Sequence, residues 1–139
     1  MWNDLPDNYK ETDSISCFKR LLRKNDKIVP GYYFEKDRNL EILHCKLRLE
    51  ISDLQGDLVK RHLSNNPVCQ CGFRCENAKH YLFDCPLYAE ARATIIQRLD
   101  FNYYKCDYLL SGNPNLSYNE NEKIFQHVSE FIKLSKRFN

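Results

Sequence analysis

A short segment in the middle of the chain, residues 69–86, carries side chains that bind transition metals. It holds three thiols and an imidazole in the pattern C-x-C-x8-H-x4-C, contributed by Cys69, Cys71, His80 and Cys85. Structural zinc sites take four ligands of these two types in tetrahedral geometry. Gly72 follows the first pair, where a chain that turns around a metal often needs a positive φ. The pattern therefore predicts a zinc-binding knuckle.

Other interpretations of these cysteines stay open. Free cysteine is among the most buried residue types, so the thiols are also compatible with an unligated core. The spacing of Cys69 and Cys71 disfavours a disulfide between them. Cys75 is a further thiol within reach, and the sequence leaves open whether it joins or replaces a ligand. His80 and Cys85 are expected to face one metal if a helix ends between them.

Length and composition indicate one intracellular domain. The chain has 139 residues, enough for one modest core, and we expect a single domain over residues 1–139. Seven cysteines is an odd number and no apolar signal segment follows Met1, so we expect a reducing compartment, the nucleus or the cytoplasm. No apolar run is long enough to span a bilayer, so we expect no membrane partner.

Apolar residues recur mostly at the helical period, which predicts an all-α fold, a small helical domain around the knuckle. A capping box at Ser117 and Glu120 predicts the start of the last helix. The predicted helices cover residues 37–49, 57–63, 87–99 and 118–136, with shorter ones near 15–22 and within 101–110.

Cations cluster in two places along the chain. The denser cluster contains Lys19, Arg20, Arg23 and Lys24, on the face of a predicted helix opposite its apolar residues, with Lys27 just beyond. Lys60 and Arg61 form a smaller one. A solvated helix face explains such clusters, and contacts to nucleic-acid phosphates are the functional interpretation. The net charge of +2 gives no global attraction to nucleic acid, so such binding would be local.

Two further candidates for binding have simpler interpretations. The aromatic run Tyr32, Tyr33 and Phe34 could stack on exposed bases, but we predict that it packs in the interior. His44 and Cys45 are adjacent on a predicted helix, so they cannot ligate one metal from one face. We therefore interpret His44 as a surface histidine or a hydrogen-bonded core histidine.

Several motifs in the same order resemble one protein family. They are W-N-D-L-P at residues 2–6, S-x-x-x-F-K-R-x-L at 14–22, L-H-C-K-L-R-L at 43–49, C-x-C-G at 69–72, E-N-x-x-H at 76–80 and C-P-x-Y at 85–88. Together they resemble the C-terminal region of non-LTR retrotransposon reverse transcriptases of the jockey-like kind. The resemblance implies a zinc-stabilised tail that binds RNA or DNA, with the polymerase part of the parent protein as a further partner.

No catalytic constellation is evident in the sequence. It has no aspartate pair in a Tyr-x-Asp-Asp-like turn and no endonuclease carboxylate–histidine set, so we expect no enzyme activity from this chain. A Cys–His nucleophile or a catalytic zinc is disfavoured because all four zinc ligands are present and no acidic residue is obviously placed as a base. Glu76 is the nearest candidate base, and we expect it to begin the helix of His80 instead. The alternative function is a structural or protein-interaction remnant in which zinc serves only to fold the chain.

Overall fold

The computed structural model describes residues 31–33, 37–95 and 105–139. These residues form helices, turns and loops, without a β-strand among them, which confirms the predicted all-α class. We name the α-helices α1 to α5 in chain order: α1 Arg38–Arg48, α2 Gln55–Lys60, α3 Ala89–Ile95, α4 Cys106–Ser111 and α5 Tyr118–Ser135. Shorter elements are 3₁₀ turns at Gly31–Tyr33 and Pro86–Tyr88 and a π-helical turn at His80–Asp84. The predicted helix near residues 15–22 lies outside the described residues.

Helix α5 is the centre of the helical body. The Ser117 side chain accepts a hydrogen bond from the Glu120 backbone N–H at 3.3 Å, and the Ser117 N–H donates to Glu120 Oε2 at 2.8 Å. This confirms the predicted capping box and fixes the first turn. The helix packs against α1, α3 and α4. Its buried apolar face contains Ile124, Phe125, Val128, Phe131 and Ile132.

Helix α1 contacts α4 through a buried hydrogen bond and α5 through a ring contact, both made by His44. The Asp37 side chain caps the first turn of α1 by accepting from the Asn39 backbone N–H at 2.9 Å. His44 is buried, and its Nε2 lies 2.9 Å from the Leu109 carbonyl oxygen of α4. The imidazole also contacts the Phe125 ring, with 4.2 Å between centroids. His44 is therefore a hydrogen-bonded core histidine, one of its two predicted interpretations.

The aromatic pair in the Gly31–Tyr33 turn packs on the same region of α5. Tyr32 and Tyr33 place their ring centroids 5.1 Å and 5.3 Å from that of Phe125. The Arg48 guanidinium carbon lies 3.8 Å from the Tyr33 centroid. The predicted packing role is confirmed for these two rings, and Phe34 lies outside the described residues.

Helices α1 and α2 end in the same kind of turn. After α2, the Leu63 N–H donates to the Leu58 carbonyl at 2.9 Å and the His62 N–H donates to the Val59 carbonyl at 3.0 Å. His62 takes a φ of 59°, which makes this a Schellman motif without its usual glycine. After α1, Glu50 takes the same place with a φ of 56°.

The bounds of helix α2 differ from the predicted range of 57–63. It begins at Gln55 and ends at Lys60, and Leu63, the predicted last residue, lies beyond it and is 66% exposed. The early start is supported by Asp57, which is buried and accepts hydrogen bonds from the Ser52 backbone and hydroxyl. The predicted end was wrong because no glycine marks the turn at His62.

The helix predicted from residue 87 also begins later. Pro86 opens a 3₁₀ turn, which continues into α3 at Ala89. Leu87 is 53% exposed, whereas Tyr88 and Ile95 are buried. Residues 96–104 lie outside the described part. Among the helices that the structure describes, none is both long enough and apolar enough to cross a membrane.

Candidate metal centre

The structure brings the four predicted zinc ligands together. One ligand atom from each of Cys69, Cys71, His80 and Cys85 lies within 4.8 Å of the others. The Sγ atoms of Cys69 and Cys85 are 3.7 Å apart, and Cys71 Sγ is 3.3 Å from His80 Nε2. Zinc bond lengths and tetrahedral angles correspond to about 3.8 Å between two sulfur ligands and about 3.6 Å between sulfur and nitrogen. The cluster could therefore hold a metal ion.

A tight turn supplies the first two thiols. The Gly72 N–H donates to the Cys69 carbonyl at 2.9 Å, and the Cys69 N–H donates to the Phe73 carbonyl at 2.9 Å. Gly72 has a φ of 91°, which confirms the predicted positive value. A Cβ atom at Gly72 would meet nothing within 4 Å, so glycine is required there by conformation and not by crowding.

A π-helical turn supplies the other two ligands. In a regular α-helix, residues five apart point about 140° away from each other, so His80 and Cys85 would not meet. Here the Cys85 N–H donates to the His80 carbonyl at 2.8 Å, which is an i to i+5 hydrogen bond. Such single π turns are rare and often occur at functional sites. The helix ends at Asp84, between the two ligands, which is the condition under which both were expected to face one metal. No pattern in the sequence indicates the π turn.

Burial keeps two of the three thiols of the cluster protonated unless a cation binds. Cys69, His80 and Cys85 are buried and Cys71 is partly buried. Burial raises the pKa of Cys69 to about 12 and also raises the pKa of Cys85. A hydrogen bond from the Phe73 backbone lowers the pKa of Cys71. Three adjacent thiolates repel one another unless a cation compensates them, and metal ligation requires the thiolate form.

The imidazole is held in place by stacking. The Phe73 ring lies parallel to His80, with 4.3 Å between centroids and 6° between planes. Burial lowers the pKa of His80, which favours the neutral form that binds metals. His80 Nδ1 is buried and has no hydrogen-bond partner among the described residues. The parallel Phe73 ring restricts the orientation of the imidazole.

Arg92 of α3 closes the end of the π-helical turn. Its guanidinium donates to the carbonyl oxygens of Leu82 at 2.7 Å, Cys85 at 2.9 Å and Tyr81 at 3.2 Å. Carbonyls at a helix end have no partner within the helix, so a side chain that binds several of them fixes the backbone there. Arg92 therefore holds the backbone that carries Cys85.

A buried ion pair joins the knuckle to the end of the chain. Glu76 is 2% exposed and binds Arg137 through two hydrogen bonds of 2.7 Å and 2.8 Å. The Gln55 backbone N–H also donates to Glu76 at 2.8 Å. Burial by itself raises the pKa of Glu76, but Arg137 and the Gln55 N–H outweigh it and lower the pKa. Glu76 therefore makes a structural contact. Its partner Arg137 is distant in sequence, so local sequence patterns could not identify it.

Cys75 lies outside the four-residue cluster. Its Sγ would be 3.0 Å from a Cβ atom built on Gly56 of α2, and the Gly56 N–H donates to the Glu76 carbonyl at 2.9 Å. The thiol therefore packs against α2, where the glycine lets the two backbones approach closely.

The predicted phosphate-binding residues fall into two groups. Lys19, Arg20, Arg23, Lys24 and Lys27 lie outside the described residues. Lys60 pairs with Glu50 at 2.6 Å, and Arg61 donates to the Ser52 carbonyl at 2.6 Å. Lys60 is exposed, whereas Arg61 is partly buried. Nucleic-acid contacts by these seven residues stay a prediction.

Comparison with known proteins gives one partial similarity. Part of the chain is similar to the "Retrovirus-related Pol polyprotein from type-1 retrotransposable element R1" of Bradysia coprophila, with 54% identity over 39 residues. The match covers 28% of this chain and 4% of that protein's length. No family model and no solved structure matches. The similarity supports a non-LTR retrotransposon origin.

Proposed function

We propose that the chain is a zinc-stabilised nucleic-acid-binding tail of a retrotransposon reverse transcriptase. The observation that carries this proposal is the Cys69, Cys71, His80 and Cys85 cluster, whose ligand atoms lie within 4.8 Å. The similarity to a retrotransposon Pol polyprotein supports the same context. The tail works inside the cell, together with the polymerase part of its parent protein.

Zinc has a structural role in this proposal. Four protein ligands complete a tetrahedral zinc ion and leave no position for a substrate, whereas catalytic zinc keeps one position open. Cys69 and Cys85 also belong to the buried core, so metal binding and core formation are linked. The bound ion therefore stabilises the fold and takes no part in chemistry.

The chain has no catalytic role of its own in this proposal. Polymerisation by two metal ions needs clustered carboxylates at the growing 3′ end. Among the described acidic residues, Glu76 is bound to Arg137 and Asp57 is bound to Ser52. Template-dependent primer extension by the purified chain would contradict this part of the proposal.

Nucleic acid is bound mainly through phosphates. The cations that we assign to these contacts are Lys19, Arg20, Arg23, Lys24 and Lys27, with Lys60 and Arg61 in addition. Each phosphate that a cation neutralises releases counterions, so log affinity falls with log salt by roughly 0.7 to 0.9 per contact. RNA and DNA share these phosphates, so phosphate contacts alone do not distinguish them. Binding affinities measured for both nucleic acids show which one is preferred.

A structural or protein-interaction remnant is the second candidate. Lys60 and Arg61 favour it, because both already bind groups of the same chain. An exposed pair such as Lys60 with Glu50 contributes little to stability, so a phosphate can compete for the lysine. Arg61 bonds a backbone carbonyl and is less available.

Binding to RNA and DNA oligonucleotides across a salt series, with zinc or with a chelator, separates the two candidates. We expect weak binding at low salt, a loss of about tenfold or more towards physiological salt, and a further loss on chelation. Reversing the charges of Arg20 and Lys24 together should abolish binding and leave the zinc content unchanged. If the parent chain binds neither nucleic acid at low salt, the remnant interpretation is correct.

A further inference from the structure

An aromatic ring is exposed at the tip of the knuckle. Phe73 is 43% exposed although one face of its ring is stacked on His80. Single exposed apolar side chains are common on protein surfaces, so exposure alone does not mark a site. Phe73 differs from the exposed Leu63 and Leu87 because its ring is stacked on a candidate metal ligand.

The ring is also held in a fixed orientation. Its backbone carbonyl accepts the Cys69 N–H at 2.9 Å, and its side chain lies on a buried imidazole that belongs to the metal cluster. A ring that is already ordered loses little conformational entropy when a ligand stacks on it. The knuckle thus presents a preformed aromatic platform.

The surroundings of the platform are open and cationic. Gly72 is exposed, and a Cβ atom at that position would meet nothing within 4 Å. Arg74 follows the ring in sequence and is exposed, and Lys79 is exposed in the same segment. Of the two acidic residues in 67–85, Glu76 is buried against Arg137. Asp84 is exposed and its charge acts on His80. The two exposed cations therefore still outnumber the one exposed acid. A negatively charged ligand with a flat apolar face matches this combination.

We propose that Phe73 stacks on an unpaired base of single-stranded nucleic acid while Arg74 contacts a neighbouring phosphate. This inference rests on the proposed nucleic-acid function and adds the form of the substrate. Every base has an aromatic face, so stacking of this kind tolerates different sequences. In a duplex the base faces are already stacked on each other, so duplexes lack the group that Phe73 recognises.

The test measures binding of oligouridylate, oligothymidylate and a duplex of equal length to the zinc-loaded full chain. Phe73→Leu is the main variant because leucine still covers His80 but has no aromatic face. We expect it to weaken single-strand binding by roughly 5- to 150-fold, the range of one base stack, without changing the salt slope. Phe73→Tyr should bind like the parent. Arg74→Gln should reduce the salt slope by about 0.7.

Two controls keep the result specific. Leu134→Ala removes a side chain of similar exposure, 46%, from α5 outside the knuckle, and it should leave binding unchanged. Cobalt absorption, which reports thiolate ligation, should show an intact site in every variant. A fluorescent base analogue in the oligonucleotide should be quenched by the parent and by Phe73→Tyr, but not by Phe73→Leu.

Each contrary result has a distinct meaning. Equal binding by Phe73→Leu and the parent overturns the stacking proposal and leaves the nucleic-acid function standing. Equal affinity for duplex and single strand overturns it too. If the parent binds no oligonucleotide at low salt, both proposals fail. If Phe73→Leu instead abolishes self-association in sedimentation experiments, the platform is a contact between copies of the chain.

Discussion

The knuckle and the helical body are stabilised in different ways. Residues 67–85 contain little regular secondary structure. Their conformation is defined by a tight turn, one π turn and the four candidate ligands. The body is stabilised by apolar burial along α5, against α1, α3 and α4. The regions meet where Tyr81 of the π turn contacts Phe131 of α5, with 5.0 Å between ring centroids. The comparison indicates that the knuckle combines candidate metal ligands with core residues such as Tyr81 and Leu82, whereas α5 is held by its apolar face.

Loss of a metal ligand should have the largest effect. Structural zinc contributes an apparent free energy of about 10–16 kcal/mol in small zinc peptides. We expect Cys71→Ser to release the metal and unfold residues 67–85, whereas Cys75→Ser leaves both intact. Zinc content and amide hydrogen exchange check this. If Cys75→Ser loses the metal and Cys71→Ser retains it, the ligand set is wrong.

Truncation of a core side chain in the helical body should have the second largest effect. Phe125 is buried and contacts Tyr32, Tyr33 and His44. Phe125→Ala should lower the free energy of unfolding by about 3–5 kcal/mol because it removes apolar contacts and leaves a cavity. Urea denaturation in excess zinc measures this loss, and cobalt absorption should stay unchanged if the knuckle is locally stabilised. Leu134→Ala is the exposed control.

The ion pair between the regions gives a smaller effect. Arg137→Met leaves the Glu76 carboxylate buried without its partner, which should cost about 3 kcal/mol. Lys60→Met breaks the exposed pair with Glu50 and should cost less than about 1 kcal/mol. Urea midpoints of the two variants test this order. Equal losses would mean that the Glu76 contact does not couple knuckle and body.

Removal of the α5 cap should have a smaller effect than loss of the buried ion pair. Ser117→Ala loses the hydrogen bond to the Glu120 N–H and should lower the free energy of unfolding by about 1 kcal/mol. The loss should appear in thermal unfolding followed by circular dichroism, with zinc affinity unchanged. A lower zinc affinity in this variant would show that α5 and the knuckle fold as one unit.

The sequence by itself determined the features that depend on local spacing. The C-x-C-G turn, the convergence of Cys69, Cys71, His80 and Cys85 and the helix that starts after Ser117 all follow from residues close in the chain. Turn conformation, metal chemistry and helical period act over a few residues, so a pattern can predict them.

The tertiary structure decided the contacts between distant residues. It also decided where the backbone takes a conformation that its sequence does not predict. The π turn before Cys85 carries no sequence signal, and His62 takes a left-handed conformation that usually marks a glycine. Arg137 binds Glu76 across 61 positions of sequence. These features depend on how the packed elements contact one another. Their stability is the sum of many contacts between residues distant in sequence, which no local pattern contains.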